Sequence, residues 1–103
     1  MNKKQIKEIV LAATNDFLRS ERPEVVAMED FLFSGPGGRL DSVGLVNVVV
    51  NIENKFLDLG MGVTIASEKA FFSEASPFRN VSSLTDFIYH ELHREEIERL
   101  REA

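Results

Sequence analysis

The 103-residue chain contains no cysteine and no tryptophan, and only one tyrosine. The lack of cysteine excludes disulfides, thiolate zinc sites and cysteine nucleophiles together, and it fits a cytoplasmic protein. No apolar run approaches the ~18–20 residues that a membrane span requires. The N-terminal residues Met1 to Ile6 lead into an amphipathic pattern rather than the unbroken apolar core of a signal peptide. An excess of positive charge is also missing: 12 Lys and Arg stand against 17 Asp and Glu, a formal net charge of −5. Residues 1–22 carry a net +2 and residues 23–60 a net −4. An acidic middle disfavours nucleic acid, whose nonspecific binding depends on Lys and Arg neutralising phosphates. It favours partners with basic docking patches. Internal repeats and low-complexity tracts are absent. What remains is the composition of one globular domain, large enough to bury roughly 60–70% of its unfolded surface.

Ile6, Ile9, Val10, Ala13, Phe17 and Leu18 recur at helical spacing and predict a first amphipathic helix over about 3–19. Pro23 ends it at or before Arg22. A long connection over 20–40 follows, broken by Gly35-Pro36-Gly37-Gly38. A structureless loop of that length is usually functional or internally packed. Phe31-Leu32-Phe33 argues for packing, because burying each such side chain is worth roughly 1.5–3 kcal/mol. A second helix is expected to start at Asp41 or Ser42, both good N-caps. Its stripe Leu45, Val49, Ile52 and Phe56 faces the core, Val43, Val46, Val48 and Val50 widen the apolar surface, and Gly60-Met61-Gly62 ends it. Residues 67–75 read as a short helix stopped by Pro77. The last helix is expected near Ser82 or Ser83, with Leu84, Phe87, Ile88 and Leu92 on one face. Residues 94–103 read as a charged helical extension, supported by pairs such as Glu95–Arg99. No strand is expected.

Catalytic signals are weak. His90 and His93 stand three apart on the last helix, but a zinc site needs three or four ligands with supporting partners. The glycine-rich stretch at 35–38 lacks the Gly-Lys-Ser/Thr of a phosphate-binding loop. No nucleophile–base pair emerges, so the chain is not expected to be an enzyme.

The informative stretch is Phe31-Leu32-Phe33, then Gly37-Gly38-Arg39-Leu40-Asp41-Ser42-Val43-Gly44-Leu45-Val46, then Ile52-Glu53 and Phe56. It resembles the phosphopantetheine-attachment region of acyl carrier proteins and related peptidyl carrier domains. Val81-Ser82-Ser83-Leu84 with Phe87-Ile88 resembles the start of that family's last helix, so the likeness covers about residues 3–93. The resemblance implies an all-α, acyl-carrier-like four-helix bundle, with three long helices and one short. The carrier domain would span 1–93 and the charged extension 94–103. It implies 4′-phosphopantetheine on Ser42, with Asp41 the preceding acid and Val43 the following apolar contact. Gly44 would keep the surface beside the serine small for the approaching arm or transferase. In that family acyl chains slip between the helices, which makes Leu45, Val46, Val49, Ile65 and Phe71 candidates for an acyl pocket. Core packing is the plainer reading of any one of them.

The implied partners are a phosphopantetheinyl transferase and the acyl-activating, acyl-transfer or condensing enzymes of fatty-acid, lipid or polyketide-type synthesis. The carrier itself would be monomeric, with no membrane span and no nucleic acid. One feature departs from the family, whose second helix commonly shows partner enzymes a row of acids. Here Asn47 stands five residues after Ser42, and the row is reduced to Glu53 and Asp58. That departure points to a dedicated pathway. Two alternatives are a peptidyl or aminoacyl carrier and an unmodified helical interaction module.

Overall fold

The computed structural model describes residues 1–35, 37–65 and 77–93. The expected short helix at 67–75, the pocket candidate Phe71 and the extension at 94–103 lie outside the described residues. Within them the chain is all-helical: α1 (Lys3–Glu21), α2 (Ser42–Asp58) and α3 (Val81–Leu92), with no strand beyond an isolated antiparallel bridge between Leu32 and Asn80.

Side-chain caps set where the helices start. Asn2 accepts from the Gln5 N–H at 2.9 Å, and the Gln5 side chain accepts from the Asn2 N–H at 2.9 Å. This reciprocal box satisfies two donors that a helix start otherwise leaves free. α3 repeats the device one residue before its expected start. Asn80 accepts from the Ser83 N–H at 2.8 Å, and the Ser83 hydroxyl accepts from the Asn80 N–H at 3.1 Å. Ser83 is therefore the third residue of the helix and not its cap, which corrects the expected start at Ser82 or Ser83. α1 runs to Glu21, two residues past expectation. Arg22 then caps it through an N–H bond to the Leu18 carbonyl, and Pro23 blocks further extension. α2 closes with a pair of bonds, Gly60 N–H to Leu57 O at 2.9 Å and Met61 N–H to Phe56 O at 2.9 Å. That pattern requires a left-handed residue between the helix and the departing chain, and Gly60 supplies it at φ +79°.

α1 packs closely against both α2 and α3, whereas the α2 and α3 backbones stay more than 8 Å apart, Cα to Cα. Ile6, Val10, Ala13 and Leu18 of α1 meet the expected α2 stripe of Leu45, Val49, Ile52 and Phe56, together with Leu84 and Ile88 of α3, in one buried core. The connections complete it with Phe31, Phe33, Val63, Ile65 and Phe78.

The 22–41 connection is fastened at several points, which explains how so long a loop is accommodated. Asn15 of α1 donates to the Ala27 carbonyl at 3.2 Å and accepts from the Ala27 N–H at 2.7 Å. Its amide thus substitutes for a backbone partner in a segment with no ladder of its own. Phe33 donates its N–H to Arg79 O at 3.0 Å and accepts from Leu40 N–H at 3.1 Å. Ser34 Oγ donates to Phe78 O at 2.7 Å, and the Arg79 guanidinium donates to the Ser34 carbonyl. The same few residues therefore hold the starts of both α2 and α3.

Candidate functional site

The loop delivers the chain to α2 at Asp41. The Asp41 carboxylate accepts from the Gly44 N–H at 2.7 Å, and its carbonyl accepts from the Leu45 N–H at 2.9 Å. Asp41 is thus the N-cap, and its charge is held at the positive end of the helix dipole, where an anion is favoured by about 0.3–1 kcal/mol. Ser42, the first helical residue, is exposed. Its hydroxyl takes no hydrogen bond from or to another described residue. The side chain that caps is therefore Asp41, and the serine beside it is free to react. An electrophile arriving there finds a primary alcohol at a fixed position on a rigid element, next to first-turn N–H groups. Phosphate oxygens attached at such a position are well placed.

Val43 is also open to solvent, 69% exposed. Gly44 is not. It is buried, and a Cβ placed on it would lie 3.5 Å from the Phe17 ring of α1 and 3.2 Å from the capping oxygen of Asp41. Its missing side chain admits α1 against the head of α2.

The acyl-pocket candidates separate. Leu45, Val49 and Ile65 are buried together in the core. Val46 does not join them. It lies one helical turn after Ser42, is 46% exposed and belongs to the outer side of α2, because the inward positions of this helix are those of Leu45, Val48, Val49, Ile52 and Phe56. An open cleft of about 210 Å³ lies between the end of α1 and the head of α2, bordered by Phe17, Arg22, Arg39, Asp41, Val43 and Asn47. A second, of about 250 Å³, lies over the loop around Val26, Met28 and Leu32. Neither is bordered by Leu45, Val46, Val49 or Ile65.

Sequence reasoning missed two contributors to this end of the molecule. Arg39, two residues before the cap, borders both clefts. Asn15 anchors the loop from the middle of α1, and the available signal was an amide-bearing residue of low helix propensity inside an otherwise good helix. The two histidines do not converge on the site. His90 is exposed on α3, and His93 caps that helix with its ring 4.4 Å from the Tyr89 ring.

No protein-family model matches the chain, and neither a curated protein nor a solved structure matches it.

Proposed function

We propose that the protein is an acyl carrier that bears 4′-phosphopantetheine on Ser42. The observation that carries this reading is the division of labour at the head of α2, where Asp41 makes the cap and leaves the adjacent Ser42 hydroxyl exposed and unengaged by any described residue. It is supported by the Leu40-Asp41-Ser42-Val43 motif at the start of that helix and by the packed loop that leads to it. In the proposed arrangement a short helix over 67–75 adds to the three described helices to complete an acyl-carrier-like bundle.

Attachment requires a transferase and coenzyme A. The Ser42 oxygen attacks the phosphorus that bears the pantetheine, forming a serine–phosphate ester bond. The phosphoanhydride bond breaks, adenosine 3′,5′-bisphosphate leaves, and the hydroxyl proton passes to a base of the transferase. No oxidation or reduction is involved. The arm, once attached, ends in a thiol that carries an acyl group as a thioester. The chain's own residues do the positioning. Asp41 fixes the helix start, the positive end of the α2 dipole would favour the added phosphate, and Gly44 lets α1 buttress the turn. The helix end favours the added charge by only about 0.3–1 kcal/mol, so specificity rests with the transferase. The carrier takes part as a substrate and presenter, in a dedicated fatty-acid, lipid or polyketide-type pathway in the cytoplasm.

Intact mass before and after incubation with coenzyme A and a broad-specificity phosphopantetheinyl transferase tests the reading. The wild type is expected to gain one phosphopantetheine, and Ser42→Ala none. A folded wild type that gains no mass would turn the assignment toward an unmodified interaction module.

A further inference from the structure

The two clefts differ in chemistry and meet at one residue. The cleft of about 210 Å³ is bordered by Asp41 and Val43, the neighbours of Ser42, and by Glu21, Arg22, Arg39 and Asn47. It therefore starts beside the modified serine and is rich in polar groups. The cleft of about 250 Å³ is bordered by Val26, Met28, Phe31 and Leu32, with Asp30 and Arg39. Arg39 borders both, and its backbone N–H bonds the Leu32 carbonyl at 2.9 Å. The polar cleft thus leads from Ser42 to an apolar one through a fixed point of the 22–41 connection.

The apolar cleft is open where a loop would ordinarily show polar side chains. Val26 and Met28 are 67% and 63% exposed. Gly37 leaves Leu32 uncovered on its side, since a Cβ there would lie 3.4 Å from a Leu32 methyl. A second copy of the chain is a poor occupant, because two exposed side chains fall far short of the roughly 800 Å² that each partner buries in a stable dimer. A ligand tethered at Ser42 needs no such area, because the tether supplies a high local concentration.

The arm and its cargo match the order of the clefts. A phosphopantetheine begins with a phosphate and continues through a hydroxyl and two amides, all hydrogen-bonding groups. Arg22 and Arg39 form no ion pair with a described residue, so their donors are open to such acceptors. The acyl group at the far end is apolar, and it gains by leaving water for apolar contact.

We infer that the arm on Ser42 lies along the polar cleft past Arg39 and rests its acyl cargo on Val26, Met28 and Leu32, on the outside of the loop. This rests on the carrier assignment and deepens it by locating the cargo. It replaces a pocket among Leu45, Val49 and Ile65, none of which borders either cleft.

The test loads the full-length protein from coenzyme A, acetyl-coenzyme A or octanoyl-coenzyme A with a broad-specificity phosphopantetheinyl transferase. Intact mass verifies each form, and NMR follows the labelled methyl groups of methionine and isoleucine. The chain has three methionines; Met28 borders the apolar cleft, whereas Met1 and Met61 border neither and serve as controls. The Met28 methyl signal is expected to move by several linewidths on octanoyl loading and much less on acetyl loading. Ile52 and Ile65, both fully buried, are expected to stay in place. Val26→Asp is expected to reduce the Met28 displacement by about half or more, because the acyl chain would then have to strip water from a carboxylate. Circular dichroism checks that this variant is folded, and Val26→Ser provides a milder second one. An octanoyl form in which Ile52 and Ile65 move and Met28 does not, or in which none of them moves, would overturn the inference while leaving the carrier assignment standing. A folded wild type that gains no mass from any of the three would remove both.

Discussion

Two buried threonines show how one hydroxyl can stabilise and another cost. Thr14 of α1 donates to the Val10 carbonyl at 2.7 Å, so its polarity is satisfied within its own helix. Thr85 of α3 is 3% exposed, and its hydroxyl finds no partner among the described residues. A buried polar group without a hydrogen bond carries a penalty of about 1–3 kcal/mol, while a made bond contributes about 1 kcal/mol net. Replacing each with its apolar near-isostere should therefore move stability in opposite directions. Thr85→Val is expected to stabilise by about 1 kcal/mol, which for a domain of this size is roughly a 4–8 °C rise in Tm. Thr14→Val is expected to be neutral to about 1 kcal/mol destabilising. Thermal melts of the two variants side by side check this, and a lower Tm for Thr85→Val would mean that its hydroxyl is satisfied in solution.

At the scale of the element, the 22–41 connection behaves as a structural part of the fold. It depends on Asn15, which holds both polar groups of Ala27. Asn15→Ala leaves the Ala27 N–H and carbonyl unpaired in a partly buried setting, with an expected cost of about 1–3 kcal/mol. Local amide exchange reports such an opening separately from global unfolding. The Ala27 and Phe31 amides are therefore expected to lose protection in Asn15→Ala while the α2 amides keep theirs. Uniform loss across the molecule would show that the anchor is part of the global core. This anchor also marks a limit of what the sequence discloses. The helices were legible because each carries a repeating apolar stripe, and Ile6, Val10, Leu45, Val49, Ile52, Leu84 and Ile88 all point inward as their spacing predicts. The start of α2 was legible because Asp41-Ser42 is strong capping chemistry. The loop's fastenings join residues far apart in sequence, such as Ser34 with Phe78 and Phe33 with Arg79, and no local pattern encodes them. The packing role of Gly44 was hidden for a related reason. Sequence shows that a side chain is missing, whereas only the packing shows that Phe17 occupies the space beside it. Four valines close together in one helix do not by themselves say which of them turn outward, and Val46 is one that does.

For the molecule as a whole, the arrangement of the helices decides how it unfolds. α1 is the close partner of both α2 and α3, whose own backbones stay more than 8 Å apart. The second link between them runs through the connections. Phe33 is fully buried, stands edge-on to Phe31 with ring centroids 5.5 Å apart, and pairs its backbone with Arg79, just before α3, and with Leu40, just before α2. Truncating such a ring costs about 3–5 kcal/mol. Small domains have only about 5–15 kcal/mol in total, so Phe33→Ala is expected to remove roughly a fifth of the stability or more, and Phe33→Leu distinctly less. Because this residue secures both routes into the core, the loss should fall on the whole molecule. Helical circular dichroism and the fluorescence of Tyr89, the chain's single tyrosine on α3, are expected to report one coincident transition, shifted to a lower midpoint in urea. If Tyr89 kept its wild-type midpoint while the helical signal fell in two steps, α3 with α1 would be stable without the loop, and Phe33 would serve only to hold Ser42 in place at the head of α2.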